Sequence, residues 1–213
     1  MRTLSEQRYS KLGPIVVKAL TAHSFDAYYF DDCGEAVEKV FSLIPKDHQV
    51  SWGGSLTLVG MGIQDRLVKE GYNALDRDKG ETPQERHETM RRALLCDTFI
   101  TGTNAVSAEG QLVNIDGNGN RVAAMIFGPK QVIVVAGMNK VVQTNEDAIR
   151  RAKTIAAPLN IQRFHNLETP CSETGICTNC LSPDTICSFI VTTRFCKPAG
   201  RIKVILIGKD LGL

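Results

Sequence analysis

The sequence predicts an α/β fold in which a mainly parallel sheet is flanked by helices and carries an antiparallel, hairpin-rich elaboration. The first observation is that apolar residues recur at helical spacing before residue 96, in segments that alternate with short strand-like runs. The second is that strand-like runs separated by turn residues dominate from residue 97 onward. Helices alternating with strands are typical of α/β sheets. The chain of 213 residues has no internal linker and is expected to form one domain, 1–213.

The elements predicted before residue 97 begin with a helix over 4–22, which Pro14 is expected to bend or restart. Strands are expected over 27–30, 49–52 and 72–75, and helices over 34–43, 64–70 and 83–95. The last of these helices has the clearest start, because Thr82 is typical of an N-cap and Glu85 stands three positions later.

The elements predicted after residue 97 are mostly strands, over 98–101, 111–115, 122–127 and 131–136. The stretch Asp-Gly-Asn-Gly-Asn at 116–120 is expected to be a turn joining two of them, since these residues tolerate tight turns. We therefore expect residues 97–136 to form a hairpin-rich sheet packed beside the parallel one. A helix over 146–157, a cysteine-rich segment over 171–196 and a buried strand over 202–207 complete the chain.

The composition excludes several classes of protein. Apolar residues make up 43% of the chain, and 25 Lys and Arg against 23 Asp and Glu leave a net charge of +2, which is typical of a globular protein. No apolar run approaches the roughly 20 residues that cross a bilayer, and the N-terminus has no apolar signal-peptide core. No basic patch indicates nucleic acid. We expect a soluble cytoplasmic protein, and whether it forms a homo-oligomer is left open.

A first candidate site follows the predicted strand 49–52, in the sequence Gly53-Gly54-Ser55-Leu56-Thr57. Two glycines allow a sharp turn with accessible backbone amides, and Ser55 and Thr57 add hydroxyl groups. These groups suit a phosphate, a carboxylate or an enolate oxygen. The alternative is that the glycines only form the turn and that Ser55 only caps a helix.

A second candidate site combines the loops at 101–104 and 109–121, which lie at the ends of apolar strands. Arg121 is a candidate for binding an anion through two guanidinium nitrogens, and Glu109 or Asp116 for a catalytic base or nucleophile. The alternative is a tight hairpin whose Asn and Asp side chains bond to their own backbone. The candidate ligand-binding residues of this site are Thr103, Asn104, Asn114, Asp116, Gly117, Gly119, Asn120 and Arg121.

A third candidate site is formed by cysteines, five of which lie within the last third of the chain. Cys177 and Cys180 have the spacing that lets two thiolates reach one metal, and Cys171 and Cys187 could complete a four-sulfur site. Zinc and an iron–sulfur cluster are both left open as the metal. The alternative, which the residues alone slightly favour, is a set of structural thiols or a segment that docks a partner.

Several stretches that span nearly the whole chain carry a family resemblance, at 53–57, 101–105, 110–124, 128–140 and 200–208. In this order they resemble the LUD domain of lactate-utilization proteins. The resemblance implies a fold similar to that of ribose-5-phosphate isomerase, glucosamine-6-phosphate deaminase and the CoA-transferases. It also implies that the loops of the first two candidate sites are walls of one cleft for a small anionic ligand.

The function that the resemblance implies lies in organic-acid metabolism, where related proteins support L-lactate oxidation to pyruvate alongside iron–sulfur oxidoreductase subunits. One alternative is a stand-alone sugar-phosphate isomerase or an acyl- or CoA-transfer enzyme that uses Glu109 or Asp116. Another is a non-catalytic subunit whose cysteine segment docks an electron-transfer partner.

Overall fold

A parallel sheet of six strands forms the centre of the structure, a computed structural model that describes residues 2–213. From one edge to the other its strands are β1 (Asp26–Phe30), β10 (Ile202–Ile207), β7 (Gln131–Gly137), β4 (Thr98–Thr101), β2 (Gln49–Trp52) and β3 (Asn73–Leu75). Each neighbouring pair runs parallel. The middle strands β10, β7 and β4 are buried along nearly their whole length, as expected for strands covered on both faces.

Helices cover both faces of the sheet, and two apolar cores result. The long helix α1 (Leu4–Ala22) packs on one face, and α2 (Cys33–Ser42), α3 (Leu56–Gly60) and α4 (Ile63–Lys69) pack on the other. Successive side chains of a strand point to opposite faces. Strand β7 therefore supplies Val132 and Val134 to the first core and Ile133 and Val135 to the second.

A smaller second sheet lies beside the first. Its strands, in spatial order, are β8 (Val141–Val142), β5 (Ala105–Ser107), β6 (Leu112–Asp116) and β9 (Phe189–Thr193). Strand β6 is antiparallel to both of its neighbours, and β5 and β8 are parallel. The helical run α7 (Asn145–Arg151), a π-helical turn (Ala152–Ala156) and α8 (Ala157–Ile161) packs on this sheet through small alanine side chains. Helix α9 (Pro170–Thr174) opens the cysteine segment.

The predicted α/β class is confirmed, but residues 122–127 are not a strand. Residues 122–126 belong to helix α6 (Asn120–Ile126) and Phe127 is its C-cap, so the turn at 116–120 leads from a strand into a helix. Gly119 begins the helix with φ +79°, a value that favours glycine. The Asp116 carboxylate accepts a hydrogen bond from the Val122 N–H at 3.0 Å and so satisfies a donor of the first helical turn. Val122 and Met125 then face the core at helical spacing.

The expectation of one hairpin-rich sheet over 97–136 also needs correction. Strands β4 and β7 of this region belong to the parallel sheet, and only β5 and β6 form an antiparallel hairpin. Both β4 and β7 are buried almost throughout, which is the pattern of central parallel strands rather than of half-exposed hairpin strands.

Pro14 was expected to bend or restart helix α1; the helix runs without interruption through Pro14 and does not restart there. It begins at a capping box between Thr3 and Glu6, and α5 (Pro83–Arg92) begins at the predicted box between Thr82 and Glu85. No helix within residues 2–213 combines the length and the apolar character that crossing a membrane requires.

Candidate functional site

A cleft of about 640 Å³ opens at the carboxyl ends of β2, β4 and β7. In parallel α/β sheets this edge is where ligands bind, because loops from several strands meet there. The loops that follow β2, β4 and β6 form its walls. Its charged side chains are Arg77, Asp78, Asp116, Arg121, Lys140, Arg163 and Asp184.

The cleft brings together most of the ligand-binding residues that the sequence predicts, from both candidate loops. Gly54, Ser55, Thr103, Asn104, Asp116, Gly117, Asn120 and Arg121 line it. The other predicted residues, Gly53, Thr57, Asn114 and Gly119, are not part of its lining. Thr57 and Asn114 are buried, and each is bonded to a cation of the cleft.

The Gly53–Gly54 loop needs its glycines for close approach. The Gly53 N–H donates to the Ile100 carbonyl at 2.9 Å, which holds the loop to β4. A Cβ on Gly54 would overlap Nη2 of Arg77, so the bare backbone lets this guanidinium lie against the loop. Ser55 occupies the N-cap of α3, but its side chain makes no capping bond. The Ser55 hydroxyl therefore stays available to the cleft.

Arg121 donates four hydrogen bonds that link the loops of the second candidate site, at 101–104 and 109–121. Its Nη1 donates to Asn114 Oδ1 at 2.6 Å and to the Gly102 carbonyl at 3.2 Å. Its Nη2 donates to the Ile115 carbonyl at 2.7 Å and to Asn104 Oδ1 at 3.0 Å. All four acceptors are neutral, and burial lowers the pKa of the guanidinium against the opposing effect of Asp116. Arg121 thus places a positive charge at the cleft while its terminal nitrogens are already bonded to protein oxygens.

Lys140 is the second cation at the base of the cleft, and it is only 4% exposed. Its Nζ donates to Thr57 Oγ1 at 3.1 Å. Burial, followed by the positive charges of Arg151 and Arg121, lowers the pKa of this ammonium to about 8. The ion pairs formed within residues 2–213 involve neither Lys140 nor Arg121. A buried ammonium and a half-buried guanidinium, neither bonded to a carboxylate, favour an anion in the cleft.

The two candidate catalytic carboxylates lie in different places. Asp116 lines the cleft, and only its Oδ2 is bonded, to the Val122 N–H. Glu109 is not among the residues that line the cleft; its Oε2 accepts from the Asn145 N–H at 3.0 Å, at the start of α7. Of the two, the geometry favours Asp116 for contact with a ligand.

The four cysteines of the third candidate site line one small cavity of about 60 Å³. Burial raises the pKa of the Cys187 thiol, and the nearby Cys171, Cys177 and Cys180 raise it further. Among residues 2–213, no three His, Cys, Asp or Glu side chains are placed to hold a single metal ion. Residues 185 and 186 line both this cavity and the cleft, so the cysteine segment forms one wall of the cleft.

Three cations of the cleft were not predicted from the sequence: Arg77, Lys140 and Arg163. The position of Lys140 at the cleft could have been predicted, because this residue follows the long apolar strand β7 by only a few residues. Arg77 and Arg163 lie in polar stretches that are typical of solvent-exposed surface, and nothing in their neighbours marks them.

Comparison with protein families identifies the class to which this arrangement belongs. The model of the LUD domain matches residues 14–207, so the chain belongs to the LUD domain family. This family is associated with lactate utilization. No curated protein matches the chain significantly.

One solved structure supports the fold. The chain is similar to a DUF162 family protein from Deinococcus radiodurans, with 14% sequence identity and a TM-score of 0.54, over 93% of this chain and 97% of the other. It also matches ribose 5 phosphate isomerase A from Neisseria gonorrhoeae at 16% identity, over 52% of each chain, with a TM-score of 0.35. The ribose 5-phosphate isomerase of Plasmodium falciparum matches at 12% identity, over 63% of this chain and 65% of the other, with a TM-score of 0.35. The last two similarities are too distant to indicate function.

Proposed function

We propose that this LUD-domain protein binds a small organic anion in the cleft and supports the oxidation of L-lactate to pyruvate in the cytoplasm, together with iron–sulfur oxidoreductase subunits. The observation that carries the proposal is the placement at one cleft of the buried Lys140 and the half-buried Arg121, neither of them bonded to a carboxylate. A small carboxylate would supply the missing negative charge, and family membership supports a 2-hydroxy or 2-oxo acid.

The roles of the surrounding groups follow from their bonds. Lys140 has ammonium protons beyond the one given to Thr57 and would donate to the carboxylate of the ligand. Arg77 lies against Gly54 and would close the other side. The unbonded hydroxyl of Ser55 would contact the hydroxyl or keto oxygen of the ligand. Arg121 would hold the Asn104 and Asn114 loops in place and contribute charge rather than direct bonds.

The proposed contact with partner subunits is supported by the surface of the cysteine segment and β9. Ile176, Leu181, Phe189 and Ile190 are large apolar side chains that are exposed there. Exposed apolar residues gathered in one region are typical of protein interfaces. An electron-transfer partner docked on this surface would lie beside the cleft wall that this segment forms.

Asp116 favours a second candidate function, a sugar-phosphate isomerase or related enzyme that acts without partners. A carboxylate beside Lys140 and Arg121 could move a proton on a bound phosphorylated sugar. The acyl- or CoA-transfer alternative through Glu109 loses support, because this carboxylate is bonded at α7 and does not line the cleft.

A thermal-unfolding screen tests the proposal with L-lactate, pyruvate, glycolate, inorganic phosphate and ribose 5-phosphate. A ligand at 100 times its Kd stabilises the fold by about 2.7 kcal/mol, which raises Tm measurably. We expect a rise with the 2-hydroxy or 2-oxo acids, absent in Lys140→Met and retained in Lys203→Met. Lys203 is a suitable control because it lies at the amino end of β10, where its Nζ donates to the Gly200 carbonyl.

The outcomes separate the candidates. A rise with ribose 5-phosphate alone, together with its turnover by the isolated chain, would replace lactate utilization by the isomerase function. No rise with any of these anions would refute binding of a small anion in the cleft.

A further inference from the structure

The cysteine segment carries an arrangement that the cleft does not use. Cys171, Cys177, Cys180 and Cys187 come from four points along 17 residues, yet all four line one cavity. Asn179, between the middle pair, has φ +55°, and this left-handed residue turns the chain so that both neighbouring thiols reach the cavity. Thiols gathered in this way become thiolates only with a cation to offset their repulsion.

The size of the cavity distinguishes between kinds of metal centre. It measures about 60 Å³, whereas roughly 10–15 Å³ on the same measure holds one water molecule. No three of the His, Cys, Asp or Glu side chains within residues 2–213 converge on a point where one ion would sit. A single zinc ion needs its four sulfurs drawn tightly around one centre. In a four-iron cluster each cysteine binds a different iron, so the thiolates stand around a larger volume.

We infer that Cys171, Cys177, Cys180 and Cys187 hold a four-iron, four-sulfide cluster in this cavity. Each thiol loses its proton and binds one iron through sulfur. The inference does not depend on which anion occupies the cleft. It goes against the structural-thiol interpretation, because four thiols that served only packing would be expected to pack against side chains rather than to line one cavity together.

The rest of the cavity lining suits such a cluster. A cluster ligated by four thiolates carries negative charge, and the Lys153 side chain lines the cavity, where its Nζ is held by Asn179 Oδ1 at 2.7 Å. The buried Thr169 hydroxyl lies 3.4 Å from Cys171 Sγ, within hydrogen-bonding distance of a cluster ligand. Residues 185 and 186 separate the cavity from the cleft, since they line both. The cluster would therefore lie one wall away from the bound anion.

The experiment is anaerobic reconstitution of the full chain with sulfide and equal amounts of ferrous and ferric iron, with zinc alone offered in a parallel sample. We expect about four iron atoms and four sulfide ions per chain, broad visible absorption, and an electron paramagnetic resonance signal after reduction with dithionite. Cys177→Ser and Cys180→Ser should lose iron and the signal. Cys33→Ser is the matched control, since Cys33 is a half-buried free thiol at the start of α2 and does not line the cavity.

Circular dichroism of each variant shows whether it is folded before its metal is counted. Lys153→Met gives a second readout in a chain that keeps all its cysteines: loss of the positive charge should make the reduction potential of the cluster more negative. One tightly bound zinc ion per chain, with iron failing to displace it, would contradict the inference. So would iron content that is unchanged in Cys177→Ser, or a chain that binds neither metal under these conditions.

Discussion

Replacing Lys140 with methionine separates the destabilisation of the fold by the buried ammonium from the contribution of this ammonium to ligand binding. Methionine fills a similar volume without charge or hydrogen-bond donors. The ammonium is 4% exposed and has its pKa lowered from 10.5 to about 8, mainly by burial. At 1.36 kcal/mol per pH unit, the charged form is disfavoured in the folded protein by roughly 3 kcal/mol. Loss of the bond to Thr57 costs about 1 kcal/mol.

The expected result at pH 7 is therefore a variant that is more stable than the wild type by roughly 2 kcal/mol. The difference has a definite pH dependence. Between pH 8 and 10.5 the unfolded chain holds a proton on Lys140 that the folded protein has released, so the wild type gains stability as pH rises through this window. Below about pH 8 the full penalty is present, and above about 10.5 the wild type should be the more stable protein by the roughly 1 kcal/mol of the Thr57 bond.

Urea denaturation of both proteins at a series of pH values from 6 to about 10.5 measures the difference directly. Subtracting the two curves cancels the titration of all groups that do not interact with Lys140. Lys203→Met is the control, because it shows whether replacing a half-buried lysine elsewhere in the fold gives the same pH-dependent difference in stability. A folded Lys140→Met protein that is less stable than the wild type at pH 7, or a difference that is constant across the series, would refute the reasoning.

Two further predictions concern the cleft walls. Gly54→Ala should weaken binding of the anion about tenfold, because the added methyl group displaces the Arg77 guanidinium. Gly60 has open space around it, so Gly60→Ala should leave the affinity unchanged. Titration calorimetry compares the two variants, and equal affinities would contradict the role of the loop. Arg121→Met leaves several oxygens without their hydrogen-bond donors and should lower the free energy of unfolding by about 3 kcal/mol. Arg163 is exposed at the rim of the cleft, so Arg163→Met should lower the free energy of unfolding by less than about 0.5 kcal/mol. Equal urea midpoints for these two variants would show that the Arg121 network does not stabilise the fold.

The loops of the cleft could be predicted from the sequence because glycines and polar residues stand directly at the ends of apolar strands. Gly53-Gly54-Ser55 and the polar stretch around Asp116 stand directly after apolar strands, and parallel strands end at one edge of a sheet. Which members face the ligand could not be predicted from type alone. Thr57 and Asn114 turned inward to bond Lys140 and Arg121, and this depends on contacts between distant parts of the chain.

The burial of Lys140 could not be predicted, because it depends on long-range contacts. In sequence, a lysine after Met138 and Asn139 is typical of an exposed loop; in the fold it lies against Thr57 and near Gly212, far from it along the chain. The strand expected over 122–127 was wrong for a related reason. Val122 to Phe127 is a short apolar run without a clear hydrophobic period, so its sequence does not distinguish a strand from a helix. In the fold, the Val122 N–H donates to the Asp116 carboxylate, and this bond stabilises the first turn of a helix.

The cysteine site shows the opposite case. The spacing of Cys177 and Cys180 was enough to predict two neighbouring thiols, but the sequence left zinc, an iron–sulfur cluster and structural thiols open. Our choice of an iron–sulfur cluster rests on the volume of the cavity that the four side chains help to line, which cannot be read from their spacing in the sequence.

The central claim is that Lys140, as an ammonium, binds a small organic anion in the cleft. Titration calorimetry of the wild type with pyruvate and L-lactate, at pH 7 and again well above pH 8, tests it most directly. We expect saturable binding at pH 7 that weakens as Lys140 loses its proton near pH 8, with proton uptake on binding near that pH, and no binding to Lys140→Met. Binding of equal strength at both pH values, or undiminished binding to Lys140→Met, would contradict the claim.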